Sequence, residues 1–151
     1  MILLRQAGAG IFLVLLTLCL QCVGVAALIR WLRSVAESGL HDFRMFHSAA
    51  LVMRTIVAVI LLHGIIILLW AGYYRVICFP SWESAFYFSA SSYSTVGYGD
   101  VVLPSKWRLL GPLESMIGVL MAGISVSLLF AVVTHLVEGD SRSRLSIPAK
   151  P

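Results

Sequence analysis

The hexapeptide Thr95-Val96-Gly97-Tyr98-Gly99-Asp100 carries a chemistry that depends on peptide groups more than on side chains. A cation such as K+ crosses a membrane only if something replaces its hydration shell. Rings of backbone carbonyls from four chains can do this, and threonine hydroxyls add a further ring. For successive carbonyls to point along one axis, alternate residues must take dihedrals that L-residues avoid. Gly97 and Gly99 meet that need, because glycine enters the positive-φ region without a Cβ clash. Val96 and Tyr98 then point away from the axis and serve as struts. Such chemistry strips water from an ion and passes it on, with no covalent bond made or broken.

Few other residues could do chemistry. Glu114 lies about two turns into an apolar stretch, where a carboxylate is costly and is a functional candidate. Three readings stand: it hydrogen-bonds to the back of the short helix before the hexapeptide, it holds the helix of the second apolar block, or it is hydrated near the outer interface. His63 lies mid-block, and an interhelical hydrogen bond is favoured over proton sensing. His135 lies beside Glu138 at the far end of the third block, and a solvated histidine is favoured there over a gate that responds to protonation. Cys19 and Cys22 have Cys-x-x-Cys spacing, which invites a redox reading. Both fall within an apolar run, where cysteine commonly packs as a small apolar residue. No zinc-type Cys/His spacing, nucleotide-binding loop or hydrolase motif is found.

These residues need a bilayer around them. Of 151 residues, 60% are hydrophobic and 12% charged, and mean hydropathy is +0.95. A soluble domain carries about a quarter charged residues. The apolar residues form three blocks, from about Ala7 to Ile29, Ala49 to Tyr74 and Leu109 to Val137, each long enough to cross a ~30 Å core. The first block is longer than a signal-peptide core of roughly 7–15 residues.

Between the second and third blocks, Pro80 breaks a helix and Ser81 is a good N-cap for the next. Glu83 in its first turn complements the helix dipole. The segment is too short to span, which suits a re-entrant helix buried in protein. The net charge of +4 is not a nucleic-acid signal. Arg30, Arg33, Arg44 and Arg54 in or beside the first connection, and Arg142, Arg144 and Lys150 in the tail, share one side of the membrane by the positive-inside rule. The amino terminus is then outside and the carboxyl terminus inside. Leu40, Phe43 and Phe46 recur every third residue, which fits either a short interfacial helix or an inward extension of the second span.

With the Thr-Val-Gly-Tyr-Gly core set between two spans, the sequence resembles the potassium channel pore-loop family from about Ala49 to Val137. The resemblance implies an all-α membrane protein with three transmembrane helices, a re-entrant pore helix and a filter loop, assembled as a homotetramer. Residues 1–33 form the added first span, and 34–48 a cytoplasmic connection. Residues 49–138 form the pore module, with outer helix 49–76, pore helix 81–93, filter 95–100 and inner helix 109–137; 139–151 form a flexible tail.

The resemblance implies that K+ is bound, as cargo, by Thr95, Val96, Gly97, Tyr98 and Gly99; no cofactor is expected. By the same resemblance, Asp100, Tyr87, Phe88 and Ser91 are expected to support the filter. Phe88 has no donor for Tyr98, whereas Tyr87 can reach Asp100, and Ser91 stands where some bacterial relatives have a carboxylate. Ser91, Ser92 and Ser94 replace the family's usual threonines.

In the inner helix, Gly118 and Gly123 are either hinges or close-packing sites, and Ser125, Ser127, Phe130, Ala131 and Thr134 line the cavity and lower gate. The first block lacks a run of Arg or Lys at every third position, so voltage sensing is not expected. Gating then falls to the membrane, pH or a separate regulatory partner. A prokaryotic inner membrane fits by family analogy. The rival readings are a weakly selective cation pore and, outside the channel class, a membrane redox or adaptor protein using Cys19 and Cys22.

Overall fold

A computed structural model of the chain describes residues 2–37 and 44–145. The elements are α1 (Ile2–Glu37), α2 (Arg44–Ile77), α3 (Trp82–Tyr93), a short 3-10 turn (Ser105–Trp107) and α4 (Leu110–Leu145). No strand occurs among the described residues. Three stretches, Leu3–Val35, Ser48–Ile77 and Ser105–Val137, are long and apolar enough to cross a membrane.

Helices α1 and α4 each have 36 residues, about 54 Å of helix, which exceeds a ~30 Å hydrocarbon core. The helices therefore run past the apolar blocks that announce them. α1 continues through Glu37 and α2 begins at Arg44, so both ends of the expected 34–48 connection are helical. Phe46 belongs to α2, whereas Leu40 and Phe43 lie outside the described residues. The tail expected from residue 139 is helical to Leu145.

Paired contacts fix the helix directions. Gln6 reaches the Leu109 amide, Gly10 lies against Leu113, and Gln21 reaches Ser125, so α1 runs parallel to α4 in constant register. Thr17 meets Trp70 and Gly24 meets Leu62, so α1 is antiparallel to α2. The start of α1 thus lies at the same end of the bundle as the 77–109 segment. Thr17 Oγ1 accepts from Trp70 Nε1 at 2.9 Å and donates to the Leu13 carbonyl at 2.8 Å, which leaves both fully buried side chains satisfied.

α3 enters between α2 and α4. Ser81 caps it: its hydroxyl accepts from the Ser84 amide at 3.1 Å, and Glu83 stands in the first turn. Ser89 meets Ile67 and Tyr93 meets His63, so α3 runs antiparallel to α2 and stops near the middle of the second span. The core around it includes Ile66, Trp70, Tyr74, Ala85, Tyr93 and Ile117.

Candidate functional site

Directly after α3 the chain turns back as the 95–100 loop. Positive φ occurs at Thr95 (64°), Gly97 (53°) and Gly99 (82°) and at no other described residue, so every second residue of the loop is left-handed. The glycines accept this freely. Thr95 does not, since a left-handed L-residue costs about 1–2 kcal/mol and β-branching makes the conformation rarer still. The Thr95 amide is tied to the Ser92 carbonyl at 3.0 Å, the Gly97 amide to the Ser91 carbonyl at 3.1 Å, and the Tyr98 amide to Ser91 Oγ at 3.4 Å. Those amides point back at the end of α3. Among the described residues, no hydrogen bond ends on the carbonyl oxygens of residues 95–99. The loop therefore turns three of its amides to the end of α3 and leaves its carbonyl oxygens without a partner among the described residues.

The loop's side chains are open in the single chain: Val96 is 52% and Tyr98 72% exposed. Tyr98 stacks on Tyr87 with ring centroids 6.3 Å apart and planes at 15°. Tyr87 Oη donates to Asp100 Oδ2 at 2.8 Å, and Asp100 Oδ1 accepts from the Val101 amide at 3.0 Å. The hydrogen bond to the Asp100 carboxylate raises the Tyr87 hydroxyl above its usual pKa of 10.0. Ser91 joins the support through both its carbonyl and its hydroxyl.

Phe88 needs correction. Its ring packs edge-on against Tyr74 at 5.1 Å and tilted against Phe79 at 5.6 Å, and it lies beside Gly111, so within this chain it anchors the back of α3 and not the filter.

Glu114 is fully buried, which removes the hydrated-interface reading. Its Oε2 accepts from Tyr74 Oη at 2.9 Å and its Oε1 lies 2.5 Å from Ser89 Oγ. The carboxyl thus joins the back of the pore helix to the outer helix, the two attachments expected as alternatives. Ser89 Oγ also lies 2.9 Å from the Ile67 carbonyl. One hydroxyl proton cannot serve two acceptors, so a carboxyl proton on Glu114 completes the set.

The inner helix separates its candidates by face. Gly123, Ser127, Phe130 and Thr134 follow helical spacing along one side, and Ser127 Oγ donates to the Gly123 carbonyl at 3.0 Å. Gly123, Ser127 and Ala131 are exposed, Phe130 is 72% exposed and Thr134 is half-buried, so this side is open. Ser125 is a second correction. It is 3% exposed and points at α1 and α2, where it meets Gln21 and His63, so it does not line a cavity.

Gly118 packs closely. A Cβ there would stand 2.2 Å from the Tyr93 carbonyl oxygen. Around Gly123 the space within the chain is empty. His63 makes interhelical bonds through both ring nitrogens. His135 is exposed. Cys19 and Cys22 are free thiols on the exposed side of α1.

Sequence reasoning missed the strained Thr95 and did not single out Thr17 or Gln21. The signal of the latter two was a pair of polar residues four positions apart in an apolar helix, on one face aimed at protein. No group of three or more His, Cys, Asp or Glu side chains is clustered to hold a metal among the described residues.

A family model described as "Ion channel" matches residues 50–135, which takes in the outer helix, pore helix, loop and most of the inner helix. Nothing among the curated proteins or the solved structures matches the chain. With more than half its length matched, the chain belongs to this ion channel family, in keeping with its resemblance to the potassium channel pore-loop family.

Proposed function

We propose that the chain is one subunit of a homotetrameric, potassium-selective channel. One chain supplies a quarter of a carbonyl-lined filter, so four must surround a common axis. The observation that carries the reading is the left-handed alternation at 95, 97 and 99 beside carbonyls with no protein partner. At membrane depth such oxygens need a cation or water. The Thr95 hydroxyl and the carbonyls of residues 95–98 would hold dehydrated K+ in stacked sites, and repulsion between neighbouring ions would drive passive flow. Four copies would also cover Val96 and Tyr98, which the single chain leaves bare. We place the amino terminus outside and the carboxyl terminus inside, in a prokaryotic inner membrane.

A weakly selective cation pore is the second reading. It draws on Phe88 turning away from the filter, which leaves Tyr98 with one aromatic support in the chain.

Purified protein in liposomes tests both. Flux of K+ and Rb+ well above Na+, lost in Gly97→Ala, supports the first reading. Equal K+ and Na+ flux supports the second. Selective flux from a monomer or dimer refutes the tetramer.

A further inference from the structure

Gln21 stands in mid-span with 1% exposure. A carboxamide in a hydrocarbon environment is expensive unless it is paired. Its Nε2 donates to Ser125 Oγ at 3.2 Å. Ser125 Oγ lies 2.9 Å from His63 Nε2, and His63 Nδ1 lies 2.8 Å from Tyr93 Oη. Four side chains, one each from α1, α4, α2 and α3, thus make an unbroken line of hydrogen bonds. It ends on the last residue of the pore helix, two positions before the strained Thr95.

Counting protons gives the line a direction. A neutral imidazole has one donor and one acceptor nitrogen. With Ser125 already accepting from Gln21, its single hydroxyl proton passes to His63 Nε2, and the Nδ1–H then donates to Tyr93 Oη. Each link has one donor and one acceptor, and the Tyr93 hydroxyl proton is left outside the line. In the opposite tautomer, Nε2–H would also aim at Ser125 Oγ, and the hydroxyl proton would need another acceptor. Gln21 Oε1 is buried without a partner; with the amide turned over it accepts that proton, Tyr93 Oη–H donates to Nδ1, and every hydroxyl and ring proton of the line is used. The orientation of one amide on α1 is therefore tied to the tautomer of His63, each orientation going with the opposite one.

We propose that Gln21 is a positioning residue for the filter, acting through Ser125 and His63 on Tyr93. Tyr93 is a fitting point of control: it is 7% exposed and its carbonyl bears on Gly118. Its next neighbour, Ser94, caps α3. A shift of the tyrosine is passed to the loop because little slack lies between them. The inference rests on the loop being an ion filter, but the hydrogen-bond line can be tested without ion flux.

The test uses full-length protein in lipid, with ring nitrogens labelled. Nitrogen NMR of His63, assigned by loss of its signals in His63→Gln, should show a single tautomer in the wild type. Gln21→Leu, close in volume, should yield a mixture of tautomers. The K+ to Rb+ flux ratio should change about threefold in Gln21→Leu, roughly the effect of one average interhelical hydrogen bond in a membrane. In a Tyr93→Phe background, Gln21→Leu should add nothing to that change. An unchanged His63 tautomer, or flux effects that simply add, overturns the proposal. If Gln21→Leu fails to assemble, Ser125→Ala cuts the same line one link further on and is read by the same spectrum. A wild type that passes no ions refutes the channel reading, while the tautomer result still decides the role of Gln21.

Discussion

A methyl group at Gly118 should force the inner helix and pore helix apart. The added carbon would sit 2.2 Å from the Tyr93 carbonyl oxygen, 3.1 Å from its carbon and 3.3 Å from its Cα. Non-bonded heavy atoms settle at about 3.5 Å, so the helices must separate by roughly 1 Å. Every obstructing atom is backbone, and no side-chain rotation can relieve the clash. Overpacking costs about 1–3 kcal/mol, and a backbone clash belongs at the upper end. Alanine returns up to ~1 kcal/mol of helix propensity. The net loss for Gly118→Ala is then roughly 2 kcal/mol per subunit.

Gly123→Ala is the control. The same methyl meets nothing within 4 Å in the chain, so it should be neutral or slightly stabilising. Thermal unfolding of the two variants in one detergent, read beside K+ flux, measures the difference. If Gly118→Ala matched Gly123→Ala in stability, the packing account of Gly118 would be wrong and a hinge would regain its place.

Three more outcomes are expected. Glu114→Ala leaves the Tyr74 and Ser89 hydroxyls without their partner and should destabilise by roughly 2–4 kcal/mol, while Glu114→Gln keeps a donor for Ser89 and an acceptor for Tyr74 and should cost less than half of that in the same melt. The Tyr87–Asp100 bond raises the folded-state pKa of the tyrosine. Its contribution is therefore complete below the unfolded value near 10 and is lost only as pH rises through the higher folded value. Filter conductance recorded from pH 7 upward should hold steady to about pH 10 in the wild type, and Tyr87→Phe should show its alkaline phenotype already at pH 7. Val102 is 61% exposed just beyond the filter and offers no aromatic face to a quaternary ammonium ion, so external tetraethylammonium should block weakly and Val102→Tyr should strengthen the block; sub-millimolar block of the wild type contradicts that placement of the rim.

Hydropathy alone revealed the three spans, because contact with lipid and a continuous apolar run are the same fact. It could not reveal where helices end, since α1 and α4 continue as helices after their apolar residues stop. Pro80, Ser81 and Glu83 were enough to locate the pore helix, as capping is a local matter. The rotation of α4 was not legible. Its protein-facing and lipid-facing sides are both apolar, so periodicity gives no bearing, and Ser125 was placed on the wrong side. Gly97 and Gly99 declared their backbone through their lack of a side chain. Thr95 could not, because nothing about a β-branched residue announces the conformation it most avoids.

The first helix is an amphipathic helix worn inside out: Thr17 and Gln21 face its neighbours while Cys19 and Cys22 face away. Its seam with the rest of the chain sets bonded polar pairs among apolar contacts such as Gly10 on Leu113 and Gly24 on Leu62. Cutting the protein at that seam would strand the Trp70 indole nitrogen against acyl chains and leave Ser125 short of a donor. A trimmed two-span version of this protein would therefore need new residues at both positions before it could live in a bilayer, whereas a channel whose extra helix rested on leucines could shed it without repair.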